Sequence, residues 1–269
     1  MYSGVATSLA QRIARSTRAT WPAAAGLIMA AMVWMQPTVA QEQVQRSIIN
    51  PSFEAPNLAT AGCRVYIAES QVQGWSTNHP NANTENSGGC VVPEGFAQNA
   101  PIIELCRTPR TNNSPTIIAP DGSQVAELNA ATTSRLYQNV CMVNGESFNW
   151  EFRHRGRVSA TSPDVARFVL GSNQTLVRAS TTNAGAASAT YGAGASGQSG
   201  YPQTSGGWGV YRGSFTYSGP SGETSLGFEA LSTGGTNLAE GNLLDAIQIN
   251  LLPFVEISPG SASGLESSS

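Results

Sequence analysis

Hydrophobic and polar residues alternate along much of the chain beyond residue 100, in short bursts separated by turn-forming residues. Side chains two apart share one face of a strand, so each burst predicts a half-buried β-strand. The pattern marks Ile102 to Leu105, Val125 to Leu128, Arg135 to Val140, Phe148 to Arg155, Val165 to Leu170, Leu176 to Ala179, Trp208 to Tyr217, Ser225 to Leu231 and Leu243 to Leu252. No long segment has a helical period. Pro120-Asp121-Gly122, Asn144-Gly145 and Pro220-Ser221-Gly222 supply the conformations a chain reversal needs. Many short strands with turns between them predict an all-β antiparallel sandwich or barrel.

Two strands carry aromatic rows. Phe148, Trp150 and Phe152 face one way, with Asn149, Glu151 and Arg153 opposite; Tyr211, Phe215 and Tyr217 share a face, with Val210, Arg212 and Ser214 opposite. Burial is the default for such rows, with a sugar-lining cleft as the alternative. His154 points to the aromatic side. Two stretches break the strand pattern: the polar, Asn-rich Ser70 to Pro93, and the Ala/Gly/Ser/Thr-rich Thr181 to Gly207. The second has too little apolar surface to offset its ordering entropy and reads as a mobile loop at about 181–207.

The first forty residues have a different grammar. Arg12, Arg15 and Arg18 precede an apolar run from Trp21 to Met35, and Thr38-Val39-Ala40 offers a small-residue cleavage site. That is the order of a cleaved signal peptide over 1–40, leaving a β-sandwich domain over 41–257 and a flexible tail over 258–269. The apolar run is shorter than the ~20 residues of a membrane span. An exported chain makes its cysteines interpretable: Cys63, Cys90, Cys106 and Cys141 are even in number and lack CxxC spacing, which favours disulfides over zinc. Three connectivities are open. The favoured one joins Cys63 to Cys90 and Cys106 to Cys141, each bracketing one excursion between strands.

Composition narrows the function. Only 12% of the 269 residues are charged, against about 25% in an ordinary domain, yet mean hydropathy is -0.15. Neutral polar residues and 28 glycines have taken the place of charge. There is no lysine, and beyond residue 40 eleven arginines face seventeen acids, a formal charge of about −6. Such a balance excludes a polybasic nucleic-acid binder. With His79 and His154 the only histidines, neither a Ser/His/Asp constellation nor a His-based zinc site is available. Paired carboxylates such as Glu104 and Glu127 keep a glycan-active enzyme as a remote alternative.

Several phrases occur in order: Asn50-Pro51-Ser52-Phe53-Glu54, Gly74-Trp75-Ser76-Thr77, Ile103-Glu104-Leu105, Ala126-Glu127-Leu128-Asn129-Ala130, Leu136-Tyr137-Gln138, His154-Arg155-Gly156-Arg157 and Gly241-Asn242-Leu243-Leu244-Asp245. Over Ser47 to Leu252 this series resembles a bacterial extracellular galactose-binding-like module and, more distantly, family-4-type carbohydrate-binding modules. The resemblance implies a jelly-roll β-sandwich that binds or adheres, outside the cytoplasm, without catalysis. It also implies a structural calcium where the terminal strands pair, held by Glu54 and Asp245 with Asn50 and Asn242 contributing; calcium takes six to eight oxygens. Two functions are weighed: a carbohydrate binder, and an adhesive surface protein making protein contacts. In the first, Trp75 or Trp208 stacks on a sugar, and Glu127, Asn129, Tyr137, Arg153, Arg155 and Tyr211 complete the ligand set. For Arg153, Arg155 and Arg157 the simpler reading is ion pairing with Glu127, Glu151 or Glu104.

Overall fold

The computed structural model describes residues 44–92, 98–113, 115–179, 188–190, 195–201 and 207–251. The expected signal peptide and tail, and most of 181–207, lie outside these residues. Fourteen strands follow in order: β1 (Arg64–Ala68), β2 (Ser76–Thr77), β3 (Glu85–Ser87), β4 (Ile102–Arg107), β5 (Gln124–Glu127), β6 (Arg135–Met142), β7 (Ser147–Arg155), β8 (Asp164–Leu170), β9 (Asn173–Ala179), β10 (Ser188–Thr190), β11 (Ala195–Tyr201), β12 (Gly209–Thr216), β13 (Gly222–Ser232) and β14 (Leu243–Asn250). The only helical element among them is a single 3-10 turn, Glu69–Gln71.

The strands form two antiparallel sheets. One runs β11-β12-β7-β14-β5-β4-β1-β3 and the other β10-β9-β8-β13-β6-β2. From β5 to β8, and again from β12 to β14, successive strands switch sheets, which wraps the chain around one core as a jelly-roll sandwich. All nine alternating segments are strands, because each has one face to bury: on β7, Phe148, Trp150, Phe152 and His154 point inward and the residues between them do not. The inner faces meet in an aromatic centre, where Phe152 lies 4.8 Å from Phe228 and 5.7 Å from Tyr211.

The three expected turns form, and Gly122, Gly145 and Gly222 each take a positive φ that a side chain would resist. Gly122 has a second reason to be glycine, since a Cβ there would collide with the Glu54 carboxylate.

Two expectations need correction. The stretch read as a mobile loop contributes β10, paired with β9, and β11, paired with β12. Small residues without an alternating pattern carry no periodic signal, so ladder hydrogen bonding at a sheet edge is invisible to it. Of the disulfides, Cys63–Cys90 forms and closes the polar Ser70–Pro93 excursion onto β1, but Cys106 and Cys141 are free. Cys106 sits on β4 of the larger sheet and Cys141 on β6 of the smaller one, so no local excursion joins them.

Candidate functional site

Residues of the eight-stranded sheet that alternate away from the core form its outer face. Register places Glu85, Tyr66, Glu104, Glu127, Leu243 and Arg155 as successive cross-strand partners on six neighbouring strands. Around this row the face divides into a covered part and an open part.

The covered part lies under the segment from Thr108 to Ala119. Ile117 packs with Cys106, Val125, Trp208 and Leu243 in a small hydrophobic cluster, and the Trp208 indole N–H donates to the Ile118 carbonyl at 2.8 Å. Beside it, Arg157 grips both oxygens of Glu127 at 2.6 and 2.7 Å and stands 3.7 Å from Glu104, while Arg64 stands 3.6 Å from Glu104. The simpler reading holds for two of the three arginines, Arg157 pairing with Glu127 and Glu104 and Arg153 with Glu151 at 2.7 Å, and fails for Arg155, which turns to the Pro115 carbonyl instead. Burial and the facing Glu127 push the Glu104 carboxyl well above its ordinary range, against the pull of Arg157 and Arg64.

Glu104, Cys106 and Glu127 each offer a ligand atom within 4.8 Å of the others. The surroundings do not suit a cation there. Arg64, Arg157 and Arg110, the last donating to the Cys106 sulfur at 2.9 Å, already neutralise the group, and burial pushes the Cys106 thiol up to about 12. Nor does the pair resemble two carboxyls flanking a glycosidic bond, which need about 5 Å or more between them and room for a sugar. Glu104 and Glu127 are 0% and 1% exposed.

The open part spans β14, β7 and β12. Asn250, Asn149 and Ser214 form one cross-strand row, and Gln248, Glu151 and Arg212 the next. Arg153 follows, between Asp245 and Val210. Asn149, Gln248 and Asn250 are exposed, and the Arg212 side chain is 54% exposed. Glu151 accepts from Arg153 at 2.7 Å and meets Arg212 at 3.9 Å. The result is a grid of amide, hydroxyl and guanidinium groups at the strand spacing of about 4.8 Å. Below its end, Arg155 is fully buried; one guanidinium nitrogen donates to the Pro115 carbonyl at 2.6 Å, and Nε and Nη1 have no partner among the described residues. Burial lowers its pKa to about 10.

At the other end of β14, Glu54 and Asp245 approach a third carboxylate, Asp121. Glu54 accepts from the Ser123 and Gln124 amides at 2.8 and 2.7 Å and from the Ser123 hydroxyl. Asp245 accepts from the Asp121 and Ala246 amides, and Ser52 donates to Asp121. Burial, opposed by the two amides and reinforced by the charges of Asp121 and Glu54, drives Asp245 up to about 8. Phe53 and Ala246 hold φ of 57° and 52° here, a conformation costly for residues with a Cβ.

The expected ligand set is dispersed. Trp75 is 2% exposed and its ring lies 5.0 Å from Phe53 in the core, with the indole N–H on the Asn50 carbonyl. Trp208 is 4% exposed, and Tyr211 is buried with its hydroxyl donating to Arg178. None offers a stacking surface: each indole or phenol finds a backbone acceptor while its ring buries apolar area. Asn129 and Asn242 join by their amides at 2.9 Å in a buried network with His154, and Asn50 closes onto the Ala55 backbone. Neither Asn50 nor Asn242 turns its side chain toward Asp245. Tyr137 is half-buried on the outer face of the smaller sheet beneath Arg135, 5.5 Å above its ring, and Arg153 is on the outer face of the larger one. Alternation gives the direction of Gln248, Asn250, Ser214 and Arg212 but not that β14 and β12 flank β7, so only the fold brings them together.

No protein-family model and no curated protein matches this chain. Among solved structures it is similar to the CBM22-1 xylan-binding domain of Paenibacillus barcinonensis Xyn10C, with 16% identity and a TM-score of 0.33, over 73% of this chain and 99% of that one.

Proposed function

We propose that this chain is an exported, non-catalytic module that binds carbohydrate through the open part of the larger sheet. The grid of Asn149, Ser214, Gln248 and Asn250 around Arg153, Glu151 and Arg212 carries the reading. Carboxamides offer a donor and an acceptor on one group, and guanidiniums offer donors in a fixed fork, which together match the vicinal hydroxyls of a sugar. These groups stand on paired strands, so their spacing is set before a ligand arrives and little ordering entropy remains to be lost. Export is supported by the arginine-led apolar N-terminus and the Cys63–Cys90 bridge, since disulfides persist in oxidising compartments. No helix among the described residues is long and apolar enough to cross a membrane.

A calcium ion belongs to the same proposal as a structural element at Glu54, Asp121 and Asp245. The three carboxylates retain open lone pairs, and a divalent cation offsets the burial, and to a lesser degree the neighbouring acids, that raise the Asp245 pKa to about 8. Its chemistry is to fix the end of β14 against the segment that begins the sandwich.

A glycan array followed by titration calorimetry tests the binding reading. Asn149→Ala with Gln248→Ala is expected to weaken binding about tenfold, two ordinary hydrogen bonds' worth, with the melting midpoint preserved. Silence across the array, or binding untouched by the double substitution, removes carbohydrate from this face.

A further inference from the structure

Arg155 is flanked in sequence by Arg153, which pairs with Glu151, and by Arg157, which pairs with Glu127. It has no such partner itself. Its side chain is 0% exposed beneath the covering segment, where one guanidinium nitrogen donates to the Pro115 carbonyl and Nε and Nη1 have no acceptor among the described residues. Asp164 is near enough to raise the guanidinium pKa, but its oxygens accept from the Arg157, Gly234 and Asn242 amides and do not come within ion-pair distance of Arg155. Apolar surface stands on both sides. Leu243 is the cross-strand partner on β14, and register sets Trp208, one residue before β12, opposite Arg155 on the other side.

A buried charge left without a counterion is strongly destabilising. A buried lysine or carboxylate escapes by giving up or taking a proton, whereas a guanidinium stays charged. Burial lowers the Arg155 pKa only to about 10, so the group remains a cation at neutral pH. The Pro115 carbonyl gives it a dipole and no charge. We infer that Arg155 binds a small monovalent anion of the chloride class, held by Nε or Nη1 beneath the covering segment. Complete burial of the side chain favours an occupant of ion size over a carboxylate carried on a sugar ring. The flanking Leu243 and Trp208 suit a weakly hydrated halide, which loses less on leaving water than a phosphate or a carboxylate does. Such an ion is structural: the guanidinium that holds it also donates to Pro115, so the anion secures the segment from Thr108 to Ala119 against the sheet. The site does not depend on carbohydrate binding by the open face.

Thermal melts at constant ionic strength test the site, with chloride exchanged for gluconate, a bulkier anion. The parent midpoint is expected to rise with chloride and then level off, by about 3–6 °C at roughly ten times the dissociation constant. Arg155→Met is expected to lose this response and to melt no lower than the parent in gluconate, because an apolar side chain leaves no charge to match. Arg167→Met, which breaks a partly exposed pair with Glu229 on the smaller sheet, is expected to keep the response. A parent midpoint indifferent to chloride overturns the inference, as does a response that survives Arg155→Met or vanishes in Arg167→Met. Stabilisation by galacturonate but not by chloride rejects the small-ion assignment. If Arg155→Met does not fold, crystals of the unaltered chain grown in bromide decide. An anomalous peak within hydrogen-bonding distance of Arg155 Nε or Nη1 supports the site, and the lack of one there overturns it.

Discussion

Glu104 on β4 and Glu127 on β5 are direct cross-strand partners, both buried, with Arg157 2.6 Å from one and 3.7 Å from the other. Like charges placed opposite each other destabilise a sheet, and the structure meets this by raising the pKa of Glu104 and by clamping Glu127. The arrangement has a definite pH signature. Glu104's folded pKa is raised above its ordinary 4.5, so the folded state holds its proton longer than the unfolded chain does. Stability from this group is fully present below about pH 4 and declines as pH rises toward the folded pKa. Glu104→Gln removes the decline. At pH 7 the variant is expected to melt about 2–4 °C above the parent, a gain of ~1 kcal/mol, and the gap is expected to close near pH 4. A variant less stable than the parent at pH 7 contradicts the raised Glu104 pKa; calorimetry at the two pH values reads it.

Arg157 is the opposite case. Its guanidinium, raised in pKa by Glu127 and Glu104 against the cost of burial, is what makes those buried carboxylates tolerable. Arg157→Met is expected to cost about 3–5 kcal/mol in urea denaturation, because it strands Glu127 without its counterion. Arg153→Met, on the exposed Glu151 pair, is expected to cost under about 1 kcal/mol. Comparable losses at the two positions contradict the division of this face into covered and open parts.

The cysteines give a counting test. With no reductant, a thiol reagent is expected to label Cys141 in the folded protein and Cys106 only after denaturation, since Cys106 is buried with its thiol pushed up to about 12. Reduction then releases the remaining pair, Cys63 and Cys90, and lowers stability by about 3–4 kcal/mol for a loop of this length. Protection of all four thiols in the denatured, unreduced chain revives a Cys106–Cys141 bridge.

Asp245 offers a test of the proposed calcium. Raised from 3.8 to about 8, it contributes stability that is fully present below about pH 4 and is lost as pH rises through 8 when no ion is bound. In chelator, the melting midpoint is expected to fall between pH 5 and 9. Calcium is expected to restore it more at pH 9 than at pH 5, because the ion binds the ionised form. Asp245→Asn is expected to flatten the profile and abolish the calcium response. A midpoint indifferent to calcium at pH 9 removes the ion from this site.

The strands were legible residue by residue where one face is apolar and the other polar, as on β7. They were illegible in β10 and β11, whose small residues have no pattern to read, in β1, which leads into the polar Ser70–Pro93 excursion, and in β2 and β3, which lie inside it. Among candidate site residues, Glu54 and Asp245 were chosen from a resemblance, and the structure adds Asp121 beside them, a residue the sequence marked only as part of a turn. The aromatics were misplaced for a physical reason: Trp75, Trp208 and Tyr211 look alike as exposed platforms or buried anchors until the opposing layer is known.

Low charge, absent lysine, short alternating bursts and an arginine-led apolar N-terminus are properties of the chain itself, and they were enough for an exported β-sandwich to be expected. Tertiary structure alone decided which strands are neighbours. Cross-strand partners lie far apart in sequence, and a strand's alternation states which way a side chain points but not what stands beside it. That choice of neighbours brought Glu104 against Glu127 and set β7 between β14 and β12. By the same choice, arginines legible only as a run, Arg153 to Arg157, were divided into one that neutralises buried acid, one held beneath the surface and one that faces solvent.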